Sequence, residues 1–298
     1  MSILIRAVRV LWKIGLAWTI IAIPLNIFEI PYPAMLSPLG YLNLFVFLDM
    51  SMYFGIGQIL GNLFVKVKYG SKLPSGDNYD CKVDYILPFQ GKWTALNGGI
   101  SKELSHSWGL VNQRYAYDFV IMDDEGKSFA GDNKNVQSYF CYGKNMIAPA
   151  DGTVVKVSSR HRDSRVTGKK VFCDTWDIRG NFVVIKHADK EFSLCAHLIP
   201  GSTTVCVGDQ VKQGEVIGKC GNSGNTSEPH LHFQLQSGNP FLASVGLPIS
   251  FVNINAQEKT NYSMRDPRKP QKEVQKARGD GRVYIGRGLE LENAGDIL

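Results

Sequence analysis

Apolar positions along the chain fall into two regimes. Up to residue 65 they run almost unbroken: Lys13 is the only charge from Leu11 to Phe28, and Asp49 the only one from Tyr41 to Val65. Each run is close to the roughly 20 residues a helix needs to cross a bilayer. A proline-bearing connector, Pro31 to Pro38, separates them. The pattern predicts two membrane-associated helices over residues 1–70, forming a hairpin. The first run holds Pro24 and Asn26 and follows Arg6 and Arg9. That layout also suits a signal sequence, although no clear small-x-small cleavage site follows it. Asp49 falls mid-span, where a carboxylate is either functional or turned toward the partner helix. Gly57 and Gly61 give a GxxxG spacing that lets helices approach closely.

From Val83 to Asn255 the pattern becomes short and strand-like. Tyr115–Met122, Thr153–Val157, Asn181–Lys186, Phe192–Ala196, Thr203–Val207 and Leu231–Gln236 are rich in β-branched and aromatic residues, with Gly, Pro, Asn and Asp between them. No convincing amphipathic helix interrupts them. This predicts a mainly β domain over residues 71–256, an antiparallel sandwich or partly open barrel. From Arg265 to Arg287 eight Lys and Arg stand against three Asp and Glu. Residues 257–298 therefore read as a basic, flexible tail, with contact to anionic lipid or wall polymer as a second reading.

Composition narrows the class. A chain of 298 residues that is 44% hydrophobic and 20% charged is not disordered. A net charge of +6 is too small to argue for a nucleic-acid partner, and none is expected. Cys81, Cys141, Cys173, Cys195, Cys206 and Cys220 contain no CxxC, which excludes a zinc ribbon or a thioredoxin-like motif. They read as small core residues or free thiols, with a Cys206–Cys220 pairing left open. The basic flanks bear on topology. Arg6, Arg9 and Lys13 lie at the start of the hairpin and Lys66, Lys68 and Lys72 at its end, with no Lys or Arg in the connector. Two spans with these flanks place the β domain in the cytoplasm.

The chemistry sits in the histidines. In a strand, residues i and i+2 point to one face, so His230 and His232 project side by side. Two neutral imidazoles there can share a metal, or one can ligate while the other handles a proton. An exposed polar pair on a strand is the plain alternative. A loop rich in Gly, Asn and Ser precedes them, Gly221 to Pro229. His197 ends a second strand. Asp118 lies in the apolar run Ala116–Val120, where a carboxylate is costly unless paired or ligating.

Four segments in chain order, APADGTVVKV (148–157), CAHL (195–198), VGDQVKQGEVIGKCGN (207–222) and GNSGNTSEPHLHFQL (221–235), resemble the lysostaphin-type zinc metallopeptidases. These enzymes cut peptide cross-bridges or stem peptides of bacterial peptidoglycan. The resemblance covers roughly residues 90–250 and implies the family's β fold and one zinc ion per chain. It implies Asp118 and His232 as zinc ligands, and His197 and His230 as catalytic residues that orient or deprotonate water and stabilise an oxyanion.

One departure stands out. The family usually writes its first ligand as HxxxD, but Arg114 occupies that place before Asp118, and a permanent cation cannot ligate. The stretch Gln113–Phe119, QRYAYDF, resembles a branch in which an upstream histidine substitutes. His106, twelve residues before Asp118, is the only one available. A hairpin over Trp108 to Gln113 would return it to Asp118, making the metal set His106, Asp118 and His232. A surface role for His106 would leave two weak ligands and a non-catalytic module that activates another wall hydrolase. A third reading makes the hairpin the functional part and the β domain a sensor, with Asp49 as its support. His187 reads as structural, His161 as surface and Asp151 as a turn residue. The expected protein is a membrane-anchored zinc endopeptidase acting on peptidoglycan or another peptide. Wall peptide lies outside the membrane, so the resemblance favours an extracytoplasmic domain where the flanking charges favour a cytoplasmic one.

Overall fold

The computed structural model describes residues 2–27, 30, 34–48, 50–70, 72–166, 177–279 and 281–295; Asp49 and Cys173 lie outside them. Helix α1 spans Ser2–Ile27, a 3-10 helix spans Ala34–Leu48, and α2 spans Met50–Tyr69. Within α1, Arg6–Leu25 is long and apolar enough to cross a membrane, and it is the one such helix among the described residues. The second apolar run is thus divided between a 3-10 helix and α2, and α2 lies against the β domain. Its GxxxG pair meets the short 3-10 helix Phe241–Ala243 of that domain. A Cβ on Gly61 would stand 1.9 Å from the Leu242 carbonyl oxygen, and one on Gly57 2.8 Å from Leu242 Cδ1. Only glycine permits that approach. Val65, one turn on, is fully buried in the domain core.

Among the described residues fourteen strands follow: β1 (Trp93–Asn97), β2 (Tyr117–Val120), β3 (Asn145–Ile147), β4 (Gly152–Ser158), β5 (Phe182–Ala188), β6 (Glu191–Ala196), β7 (Gln210–Val211), β8 (Val216–Lys219), β9 (Leu231–Gln236), β10 (Gly246–Leu247), β11 (Ile254–Glu258), β12 (Gln275–Lys276), β13 (Val283–Tyr284) and β14 (Leu289–Asn293). Nine form one antiparallel sheet in the order β11-β14-β1-β2-β9-β6-β5-β4-β7, with β10 also paired to β9. The small β3–β8 sheet sends Met146 and Ile217 into the same core as Phe119 and Phe233. The expected β architecture is an open sheet with this small second sheet beside it.

Two expectations fail here. Thr203–Val207 is not a strand. Thr204 reaches β8 through its side chain, Oγ1 donating to the Val216 carbonyl at 2.5 Å, and the chain turns at Val207. The described residues from 257 to 295 do not form the flexible tail expected over 257–298. Strand β14 is paired on both sides, Leu291 lying opposite Ala256 of β11 and Trp93 of β1. Leu289 and Leu291 are buried, while Glu290 on the other face pairs with Lys259 at 2.7 Å. The alternation Leu-Glu-Leu-Glu is a strand signal that the preceding run of charge conceals.

Candidate metal centre

Strand β9 carries the site because it runs between β2 and β6. Leu231, Phe233 and Leu235 fill the core, so His230, His232, Gln234 and Gln236 share the opposite face. Cross-strand register sets Asp118 of β2 and Ala196 of β6 opposite His232. His197 follows directly, with φ +65°, a left-handed backbone that a histidine adopts only when its surroundings hold it there. Its N–H donates to the Arg179 carbonyl at 3.0 Å.

His106 reaches the same place by a loop. Ser105 Oγ donates to the Arg114 carbonyl at 2.8 Å, and the Arg114 guanidinium lies 5.0 Å over the Trp108 ring while its Nε donates to the Trp108 carbonyl. The loop closes on itself and returns His106 to β2. Arg114, in the place of the missing histidine, is its brace.

All five residues singled out in the sequence line one cleft, with Gln113, Arg179 and Phe241 in its walls. Asp118 is the hub. Its Oδ2 lies 3.5 Å from His106 Nε2, and its Oδ1 lies 3.1 Å from His232 Nδ1 and 3.5 Å from His230 Nε2. The His197 ring centroid is 4.7 Å from that of His230 and 5.7 Å from that of His232. His187 lies apart, its ring bonded to the Asp151 carbonyl and Ser193 Oγ, in keeping with a structural role. The described cysteines are all free, Cys206 exposed and Cys220 buried.

The donors suit zinc by kind, two imidazoles and a carboxylate. The Asp118–His106 and Asp118–His232 approaches, 3.5 and 3.1 Å, end on different carboxylate oxygens, Oδ2 and Oδ1. No three donors among the described residues stand as a finished cage; the imidazoles close on Asp118 itself.

Hydrogen bonds fix each ring. His197 Nδ1–H donates to the Ser223 carbonyl at 2.7 Å, so Nε2 faces the cleft. That carbonyl comes within reach because Gly180 and Gly224, both at positive φ, pack backbone to backbone; a Cβ on Gly224 would stand 2.5 Å from the Gly180 nitrogen. His230 Nδ1–H donates to the Glu228 carbonyl at 2.8 Å, and His232 Nε2–H to Gln234 Oε1 at 3.1 Å. Burial disfavours the charged form of each group, and neighbours decide the outcome. Burial, with His230 and His232 close by, pushes His197 well below the usual histidine range. For His230 the hydrogen bond and charge of Asp118 outweigh burial and lift its pKa to about 9. Asp118 is held well below the usual carboxylate range, because His106, His230 and His232 outweigh its burial.

Two supporting groups carry no local signal in the sequence. Asn97 of β1 donates to Asp118 Oδ2 at 3.0 Å, and Arg268 donates to Asn97 Oδ1 at 2.6 Å. Gln234 was open to detection, since it continues the period-two face of His230 and His232.

Residues 133–242 match Peptidase family M23. That span contains His197, His230 and His232; His106 and Asp118 precede it. Over 94 residues the chain is 40% identical to the cell division protein DipM of Caulobacter vibrioides, covering 32% of this chain and 14% of that protein. Over 125 residues it is 30% identical to the murein hydrolase activator NlpD of Salmonella dublin, covering 41% of this chain and 28% of that one. The chain thus spans well under a third of these relatives' length. A crystal structure of a zinc-containing peptidase from Vibrio cholerae aligns with 55% of this chain and 39% of its own at 19% identity and a TM-score of 0.34. Over residues 133–242 the chain is thus similar to Peptidase family M23, the lysostaphin-type family that its motifs resemble.

Proposed function

We propose that this protein is a membrane-anchored zinc metalloendopeptidase that hydrolyses peptide bonds in peptidoglycan. The observation that carries the reading is the convergence of His106, His230 and His232 on the single carboxylate of Asp118, with the His197 ring 4.7 Å from that of His230. His106, Asp118 and His232 would hold the metal, a two-histidine, one-carboxylate set that leaves a coordination position open. Zinc, when bound, supplies Lewis acidity that polarises a scissile carbonyl and acidifies water.

The chain's own residues do the rest. His197, neutral and tethered through Nδ1, offers Nε2 as the acceptor for a proton from water. His230, tethered through its own Nδ1, presents Nε2 as a donor to the oxyanion that forms as the carbonyl is attacked. Two imidazoles whose surroundings push them in opposite directions give one base and one donor in the same cleft.

α1 supports membrane attachment, and α2 adds exposed Ile59, Leu63 and Val67 at a spacing of four. With one span in place of two, Arg6 and Arg9 at its N-terminal end put the β domain on the far side from the cytoplasm, where wall peptide lies. Protease added to intact cells would digest the domain; full protection would refute this placement.

A second reading, an activator of another wall hydrolase, draws on the similarity to the murein hydrolase activator of Salmonella. The full chain in detergent separates the two. The enzyme reading expects about one zinc per chain, lost in His106→Ala and His232→Ala, and cleavage of wall peptides. It expects His197→Ala to keep zinc and lose turnover by about 10²–10⁴-fold, the scale of a positioned general base. A zinc-free, inactive wild type would leave the activator reading.

A further inference from the structure

A line of buried amides runs from α2 to the back of His232. Gln58 Nε2 donates to Asn112 Oδ1. The Asn112 side chain donates in turn to the Phe241 carbonyl at 3.0 Å, and the Asn112 backbone carbonyl accepts from Gln234 Nε2 at 3.1 Å. Gln234 Oε1 accepts the Nε2–H of His232. Gln58 is 8% exposed, and Asn112 and Gln234 are 1% exposed. Asn62, one turn along α2, accepts from the Val111 N–H at 2.8 Å. The helix therefore grips the His106 loop at Val111 and Asn112, and the Phe241–Leu242 turn through Gly61.

The orientation of these amides has a consequence for the metal centre. His232 can offer a lone pair on Nδ1 to a metal ion held beside Asp118 only if Nε2 keeps its proton, and the tautomer is set by what Nε2 meets. Gln234 presents an oxygen there because its NH2 is committed to Asn112 O and to Gln236 Oε1, at 3.1 and 2.8 Å. Asn112 is in turn held by α2.

We propose that α2 is a structural part of the metal centre: Gln58, acting through Asn112 and Gln234, is a positioning residue for His232, and zinc affinity depends on the docking of this helix. The proposal rests on the zinc reading above. It makes the segment next to the membrane anchor a component of the site. Displacing the helix would slacken the His106 loop and the His232 ring together.

The test uses the full chain in detergent micelles, with zinc affinity measured by chelator competition and the visible absorption of the cobalt(II)-loaded protein as a second readout. Gln234→Leu removes the direct partner of His232 and should weaken zinc about 10–100-fold. Gln58→Ala should weaken it about 2–30-fold, the range for a residue that acts through others. In a Gln234→Leu background the line to His232 is already cut, so Gln58→Ala should weaken zinc less than it does in the wild type. Gly61→Ala, whose methyl group meets the Leu242 carbonyl, should undock α2 and reproduce the loss. Leu63→Ala, on the exposed face of the helix, should leave affinity unchanged. The cobalt spectrum should shift in the first three variants; loss of stability alone would leave both the spectrum and the affinity of the folded protein untouched. Wild-type affinity and spectrum in Gln58→Ala and Gly61→Ala, with a wild type that binds zinc, overturn this inference alone. A wild type that takes up neither ion overturns the metal centre as well.

Discussion

Replacing Asn97 by Ala tests whether Asp118 is oriented from outside the cleft. Asn97 Nδ2 donates to Asp118 Oδ2 at 3.0 Å, and its own Oδ1 accepts from Arg268. A hydrogen bond to a charged group contributes about 1.5–3 kcal/mol, and 1.4 kcal/mol is a tenfold change in an equilibrium constant. Asn97→Ala should therefore weaken zinc binding about 10–100-fold, the range seen for outer-shell partners of metal ligands. Arg268 is a harder case because two effects oppose. Removing it frees Asn97 to rotate, which weakens the site. It also removes a positive charge near a cation, which strengthens it. Its side chain is 43% exposed and paired with Asp266, so screening keeps either effect under about 1 kcal/mol. A double-mutant cycle separates them. In the Asn97→Ala background only the charge effect remains, and Arg268→Ala should leave affinity equal or slightly tighter. Chelator competition on the four proteins reads the cycle. Wild-type affinity in Asn97→Ala, or further weakening by Arg268→Ala in that background, would refute the reasoning.

Three further outcomes follow from packing and charge. Gly224→Ala forces a side chain into positive φ and against the Gly180 backbone; it should cost about 1–3 kcal/mol in denaturant unfolding and lower turnover at unchanged zinc content, since His197 loses its Ser223 anchor. Leu235→Ala deletes a fully buried side chain of β9 and should cost about 2–5 kcal/mol in the same assay. Glu290 lies in an ion pair with Lys259, and the hydrogen bonds of Lys259 and Gln257 outweigh burial to hold its carboxyl below the ordinary 4.5. A depressed carboxylate stabilises the fold above its unfolded pKa and loses that contribution as pH falls through the folded one. The melting temperature of the wild type should therefore drop faster below about pH 4.5 than that of Glu290→Gln; parallel curves would assign the pair no role.

Strand β9 was open to reading because a period-two face reports itself locally: alternate apolar residues define the core side, and His230 and His232 fall on the other. Asp118 was legible as a carboxylate too costly to bury without partners. Partners supplied from distant segments were not legible. Asn97 and Arg268 meet across 171 residues of chain, and nothing near either one distinguishes it from a surface polar residue. The second apolar run misled for a related reason. Its hydrophobicity matches a bilayer and a protein core equally well. Gln58, Asn62 and the two glycines become meaningful only once the surface that receives them has folded. Strand β14 was obscured because average charge over a window outweighed the alternation inside it.

The departure at Arg114 gains a physical meaning from this arrangement. A ligand four residues before Asp118 would sit in the turn that leads directly into β2, beside a backbone fixed by its neighbours. A ligand supplied by His106 comes instead from farther out in the loop, beyond the turns at Leu110 and Gln113. Such a ligand carries an ordering cost that a position next to the strand largely avoids. The structure meets it twice: from within, where Arg114 stacks on Trp108 and Ser105 binds the Arg114 carbonyl, and from outside, where Asn62 and Gln58 of α2 hold Val111 and Asn112. The residue that took the first ligand's place and the helix docked behind the loop are on this view two halves of one solution, and a chain with histidine at 114 would have less need of either.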